Sequence, residues 1–408
     1  MVSIAIGGLA FCVYTCMHAI RKPFTAIVFT EDIGGYGIKS WMVIAQLLGY
    51  TISKFWGIKF LGELKRTNRF KLIVLILSLA TLPLLFMHFT PCTLWPFWLL
   101  LNGIPLGLVW GVIFSYVEGR RFTELIGAIL ACTFIFSSGI VKSIAILLQQ
   151  NQFSPTLIPF TIAVSFLIPS FLFGYILEKM PHPTAEEIDS KAKRIALSSS
   201  ERKQIIQQYV YFIFSVIFLY GILTLIRDIR DNFGAEIMQG LNVFNAKNVT
   251  KLETWVTLSM ILCIPFISGV KNHLLAIKSS IFAIFFGGIL CILSAILYRN
   301  STISGEIFIL ISGAGVYLGY ILINISVMDR LIGFNGTPGN SGFLVYMADS
   351  AGYLCSLLIS GFALFSKKGH LPWLEWYISL LIFGGIVILL FSILSYYFIT
   401  HSNKKIHV

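Results

Sequence analysis

Charge is what this sequence has least of. Asp, Glu, Lys and Arg make up 12% of its 408 residues, about half the share of an ordinary soluble domain. With 57% hydrophobic residues and a mean hydropathy of +0.84, a soluble fold is excluded. Lipid can solvate that much apolar surface and water cannot. Acidic residues are scarcer than basic ones, 18 against 30, for a net charge of +12. The basic residues fall mostly in short gaps between apolar runs, where they set membrane topology, so no nucleic-acid partner is expected. No GxxxxGK[ST] segment occurs, which points to a gradient rather than nucleotide hydrolysis as the energy source. The seven Cys have neither CxxC nor metal-ligand spacing. Cys12, Cys132, Cys263 and Cys355 read as small packing residues inside apolar runs, and no disulfide, metal or other cofactor is expected. No basic segment precedes the first apolar run, so no signal peptide is expected. His88, His182, His273, His370, His401 and His407 lie in gaps or tails without nucleophile or carboxylate company, which argues against an enzyme.

What is present is a series of long apolar runs. With about 20 residues needed per membrane-spanning helix, twelve are expected, near 2–29, 40–61, 71–90, 94–117, 125–148, 155–177, 207–230, 252–270, 274–298, 305–328, 341–366 and 374–399. The 34 Gly, many inside these runs, suit close helix packing. One gap is long and charged, 178–206, with Lys191, Lys193, Arg194, Arg202 and Lys203. It predicts a bundle over 1–177, a cytoplasmic linker over 178–206, and a second bundle with a short tail over 207–408. Lys/Arg concentrate in alternate gaps, including Lys65, Arg66, Arg69, Lys71, the linker and the tail residues Lys404 and Lys405, while Lys39, Arg299, Lys367 and Lys368 mark the opposite side. That bias predicts both termini inside, in a multi-pass protein of the plasma (inner) membrane.

A charge at mid-bilayer is costly, so each one inside a span is a functional candidate. Arg21, Lys22, Lys54, Lys59, Lys142, Arg227 and Arg230 fall within the expected spans, with Asp228, Asp231 and Asp349 in or near them. Lys59 and Lys142 suit snorkelling to an interface. Helical spacing aligns Tyr14, His18, Arg21 and Thr25. It likewise aligns Gln46, Tyr50 and Ser53 beside Lys54, and then Tyr220, Thr224, Arg227 and Asp231. Tyr317, Tyr320 and Asn324 share a further stripe, as do Tyr346, Asp349 and Tyr353. Polar stripes on apolar helices face one another across a cavity. Arg21 lies in the first span of one half and Arg227 in the first span of the other, and a pair of planar guanidinium forks suits one oxyanion. The expected site is therefore Arg21, Arg227 and Lys54 around an anion, with Tyr14, His18, Tyr50, Tyr317 and Tyr353 shaping it. Asp228, Asp231, Asp349 and Arg230 serve proton coupling or charge pairing, by pairs such as Arg227 with Asp231 or Arg230 with Asp228 or Asp231.

Several segments resemble a known family. Tyr14 with Arg21-Lys22-Pro23-Phe24, Gly49-Tyr50-Thr51-Ile52-Ser53-Lys54-Phe55, Asn102-Gly103 through Trp110, Leu225-Ile226-Arg227 and Gly352-Tyr353-Leu354 resemble the organophosphate:phosphate antiporters. Those are major facilitator superfamily carriers. The resemblance implies an all-α fold of twelve transmembrane helices in two six-helix bundles, usually monomeric, that works by alternating access. It also implies phosphate-binding roles for Arg21 and Arg227 with Lys54 nearby. Phe136 in place of a family His, and Gly57 through Arg66 in place of the superfamily's Gly-x-x-x-Asp-Arg signature, mark a divergent branch. The expectation is a secondary transporter of a small anionic metabolite, with membrane lipid as its other partner. The alternatives are a proton-coupled symporter or a membrane sensor that binds without transporting.

Overall fold

The computed structural model describes residues 2–62, 69–117, 123–181, 199–335, 342–366 and 372–402. Lys65, Arg66, most of the 178–206 connection with Lys191, Lys193 and Arg194, Lys367, Lys368, Lys404, Lys405, His182, His370 and His407 lie outside the described residues, as does the side chain of Lys59.

The long apolar runs form helices: α1 (Val2–Arg21), α2 (Ile38–Gly62), α3 (Arg69–Phe89), α4 (Trp95–Leu106), α5 (Val109–Val117), α6 (Thr123–Gln150), α7 (Ile158–Lys179), α8 (Ser199–Gln208), α9 (Val210–Asn232), α10 (Gly234–Gly240), α11 (Ala246–Ser268), α12 (His273–Arg299), α13 (Gly305–Leu322), α14 (Met328–Asn335), α15 (Gly342–Ser366) and α16 (Trp373–Ser402). Among the described residues nine segments are long and apolar enough to cross a membrane. The other three of the twelve spans are α1, α2 and α11. The last two are long enough but more polar, with Lys39 and Lys54 in one and Lys247, Lys251 and Glu253 in the other.

The structure departs from the expected spans at four places. The first span ends at Arg21 rather than near 29, because Pro23 supplies no N–H and crowds the preceding turn. The chain continues through a 3-10 turn, Pro23–Ala26, and a two-stranded hairpin, β1 (Asp32–Ile33) with β2 (Tyr36–Gly37), before α2 begins. Thr25 therefore leaves the Tyr14 stripe. The fourth span breaks between α4 and α5 at Gly107 and Leu108, just past Pro105. There α4 crosses α2 so closely that a Cβ on Gly107 would lie 2.8 Å from the Tyr50 carbonyl oxygen, which only glycine permits. The tenth span runs on to Asn335 through a π-helical turn, Ile323–Val327, placing Asn324 in an irregular stretch of helix. The connection between halves closes with the polar helix α8, which leads directly into α9.

Packing separates the helices into two bundles. α1 packs on α6 and α7, α2 on α4, and α3 on α4 and α7; in the second half α9 packs on α15 and α16, α12 on α13 and α16, and α11 on α13. The halves meet along two seams, α2 against α15 and α6 against α11. At the second seam a Cβ on Gly139 would lie 2.7 Å from the Cβ of Glu253. The large apolar side chains on the outer faces, such as Trp56, Ile168, Phe282 and Phe383, are exposed, as a surface facing lipid should be.

Candidate functional site

Between the two bundles lies a cavity of about 310 Å³. Its walls come from six regions of the chain: Tyr14 of α1, Tyr50 and Lys54 of α2, Trp110 of α5, Phe134 of α6, Tyr320 of α13 with Asn324 in the turn that follows it, and Asp349 and Tyr353 of α15. Each reaches it by a helical stripe, since Tyr50 and Lys54, like Asp349 and Tyr353, are one turn apart on facing helices. Lys54 pairs with Asp349 across the α2–α15 seam. The Tyr220 hydroxyl donates to Asp349 Oδ1 (2.6 Å), and Asn324 Nδ2 donates to the Tyr220 oxygen (2.8 Å). The Tyr50 and Tyr353 rings meet at 4.9 Å.

The two predicted arginines flank these walls and do not themselves line the cavity. The Arg21 guanidinium carbon lies 4.1 Å from the centre of the Tyr50 ring, and that of Arg227 lies 4.1 Å from Tyr320 and 5.6 Å from Tyr353. Such cation–π contacts orient a guanidinium but do not neutralise it. Arg227 has a carboxylate: its Nη2 and Nε reach Asp228 Oδ1 at 2.6 and 3.2 Å, and Nη2 also approaches the Tyr353 hydroxyl at 3.5 Å. Arg21 has none among the described residues, although it is buried. Arg21 Nε, Arg227 Nη1, the Tyr14 hydroxyl, both ring nitrogens of His18 and the Thr224 hydroxyl are buried polar atoms without a hydrogen-bond partner. His18 sits behind the wall, edge-on to Tyr14 and Phe134.

The remaining charges form ties at the hairpin end of the bundles. Asp231 accepts from Lys22 (2.5 Å) and Lys142 (2.7 Å), both in the other half, and from the Ser138 hydroxyl (2.5 Å). Lys22 also donates to Asn232 Oδ1 (2.8 Å). Lys39 bridges Glu236 and the Thr25 carbonyl, each at 2.6 Å. Arg230 Nη1 reaches Glu253 Oε2 at 3.1 Å, with its guanidinium carbon 5.3 Å from the Tyr317 ring. A second cavity, about 260 Å³, opens between Lys142 and Glu253.

The expected local pairs are thereby corrected. Asp231 does not serve Arg227 or Arg230, because it points across the interface to two lysines. Arg230 takes Glu253 instead of Asp228 or Asp231. Tyr317 faces Arg230 and does not join the cavity, being one turn nearer the hairpin end than Tyr320. Lys142 does not snorkel, and Lys39 is no loop residue but a buried member of the first turn of α2. Sequence reasoning passed over Glu253, an acid at the start of an expected span. Gln46, aligned with Tyr50 in the sequence, and Asn102 join at 2.7 Å to fix α2 against α4, a pairing that spacing does not show, and Gln46 Nε2 donates to the Arg21 carbonyl (3.0 Å). Among the described residues no group of three or more His, Cys, Asp or Glu is placed to hold a metal.

A family model described as a family of unknown function (DUF5690) matches residues 23–402, and the chain belongs to that family. No curated protein matches the sequence significantly. Solved structures do match in fold. A nucleoside transporter, NupG, is 15% identical with a TM-score of 0.61, covering 96% of this chain and 98% of that one. A D-xylose-proton symporter is 13% identical with a TM-score of 0.60, covering 95% of each chain. The human organic anion transporter MFSD10 is 12% identical with a TM-score of 0.56, covering 97% of this chain and 98% of that one. The fold is the all-α fold of these membrane transporter structures, and the nine apolar spans among the described residues make the chain an integral multi-pass membrane protein.

Proposed function

We propose that this chain is a secondary transporter that moves a small anionic solute by alternating access, with Arg21 and Arg227 supplying the anion's positive partners. The observation that carries the reading is the buried Arg21 guanidinium, which meets an aromatic face but no carboxylate among the described residues. A buried charge without compensation is costly in a low-dielectric interior. An anion bound between the bundles relieves that cost, and a guanidinium can offer it two parallel hydrogen bonds. Arg227 Nη1 and the Tyr14 hydroxyl supply further uncommitted donors nearby. Lys54 adds positive potential from the cavity wall.

The fold supports the alternating-access part. Lys22 and Lys142 tie to Asp231, and Lys39 ties to Glu236, at the hairpin end of the two halves. Lys54 lies about 24 Å further along α2 than its first residue, counting 16 residues at 1.5 Å each. Breaking the hairpin-end ties lets the halves part there, while the seams of α2 with α15 and α6 with α11 act as pivots. With both termini inside the cell, as the Lys/Arg bias favours, the hairpin end faces outward.

One observation favours a proton-coupled version over simple exchange. Lys54 is held by Asp349 across the seam. An anion that engages Lys54 leaves Asp349 a buried carboxylate without its cation, and taking up a proton neutralises it. Asp349→Asn separates the versions. Counterflow that survives while gradient-driven accumulation fails supports coupling, and survival of both supports exchange.

The test of the main reading is uptake by the purified protein in liposomes, over a panel of phosphate, organophosphates and carboxylates, repeated with Arg21→Lys and Arg227→Lys. Lysine keeps the charge and loses the fork. Flux of the true solute is expected to fall by about tenfold or more in each variant, roughly the 1.4 kcal/mol of one lost charge-assisted bond. Unchanged flux in both removes the arginines from the site, and absence of flux for every anion removes the carrier reading.

A further inference from the structure

We infer that the solute is an anion whose uncharged part is a single aromatic ring, rather than inorganic phosphate or a sugar-like polyol. This rests on the anion-carrier reading and narrows its substrate class. Six rings face the cavity: Tyr14, Tyr50, Trp110, Phe134, Tyr320 and Tyr353. They are arranged as a box, not a stack. Trp110 lies roughly parallel to Phe134 (5.3 Å, 27°), and Tyr14 stands edge-on to both, at 5.3 Å and 75° to Trp110 and 5.6 Å and 89° to Phe134. Tyr320 meets Phe134 edge-on at 5.9 Å from the other half. Trp110 and Phe134 keep part of their surface uncovered, whereas the four tyrosines are buried.

The polar capacity of the same walls is small. The Tyr220 hydroxyl, behind Asp349, is already both donor and acceptor. The Tyr353 hydroxyl faces Arg227, and Lys54 and Asp349 hold each other. For the uncharged part of a ligand the walls offer single polar atoms, the Tyr14 and Tyr50 hydroxyls, the Trp110 ring N–H and the carbonyl of Asn324, each beside an aromatic face. A polyol would bury several hydroxyls here without partners, each costly. An aromatic ring gains instead, by offset and edge-to-face contacts with walls already set at those angles. The guanidinium groups lie against two walls of the box, Arg21 on Tyr50 and Arg227 on Tyr320, so charge recognition sits beside the space that takes the ring.

The experiment is calorimetric titration of the full chain in lipid nanodiscs with two pairs matched in charged group, phenyl phosphate against glycerol 3-phosphate and benzoate against D-glycerate. Inorganic phosphate and neutral benzyl alcohol complete the set. In whichever pair binds, the phenyl compound is expected to bind about tenfold more tightly or better, equivalent to about 1.4 kcal/mol. Phe134→Leu is expected to shrink that ratio to below about threefold. Equal or tighter binding of glycerol 3-phosphate and D-glycerate overturns the aromatic inference and leaves the anion reading standing. Benzyl alcohol binding as tightly as the phenyl anions overturns the anion reading and leaves the ring preference. An unchanged ratio in a folded Phe134→Leu overturns the assignment to this box, and no binding by any probe overturns both. Should Phe134→Leu fail to fold, the comparison on the native chain still decides the ring preference.

Discussion

Two buried charge networks in this molecule are built on opposite plans. At the hairpin end, Asp231 is saturated: two lysines and a serine from the other half converge on its carboxylate. In the centre, Arg21 and the free edge of Arg227 are left facing rings, and Tyr14 and His18 are left without partners. The saturated network holds a shape, because losing its carboxylate strands two buried lysines. The under-satisfied network binds, because its donors gain more from an arriving anion than from one another. The difference also separates what mutation should do in each: damage to the first lowers stability, and damage to the second lowers affinity.

The largest expected effect comes from Asp231→Asn. It strands Lys22 and Lys142 in the interface, at a cost of about 3–5 kcal/mol, read as a lower midpoint of thermal unfolding in detergent. A variant as stable as the native chain would break the contrast. Glu253→Gln comes next. It leaves Arg230 one neutral acceptor in place of a carboxylate, with an expected loss of about 1–3 kcal/mol in the same measurement. Arg21→Lys is expected to change stability by no more than about 1 kcal/mol, because no carboxylate partner among the described residues is lost, while reducing anion transport by the tenfold given above. The smallest effect belongs to Glu306→Gln. The Lys251–Glu306 pair, at 3.0 Å, is about half and one-third exposed, and such pairs contribute about 0–1 kcal/mol. If the Glu306 change rivals that at Asp231, burial is not what ranks these networks.

Much of the fold was legible in the sequence. The spans announce themselves because each needs a long apolar run. The positions of the buried charges were legible for the same reason. Their pairings were not. The sequence invites local pairs such as Arg227 with Asp231, one turn apart, whereas Lys22 meets Asp231 from another bundle. Which face of α9 carries Asp231 towards α1 and α6 is decided by helix rotation in the packed bundles, and no spacing rule supplies that. Tyr317 shows the same limit: it shares a stripe with Tyr320 and Asn324, yet the stripe is long enough to touch both networks. Glu253 was hidden differently. It sits at the start of its apolar run, where an acid reads as interfacial, and only the close fit of Gly139 against it shows how tightly the seam encloses it.

The most direct measurement is the dissociation constant of the tightest-binding anion for Arg21→Lys against the native chain, at one fixed ionic strength, with unfolding midpoints taken on the same samples. The account predicts at least about a tenfold weaker affinity with the midpoint nearly unchanged. An affinity that stays the same, or one that falls only in step with the midpoint, would contradict it.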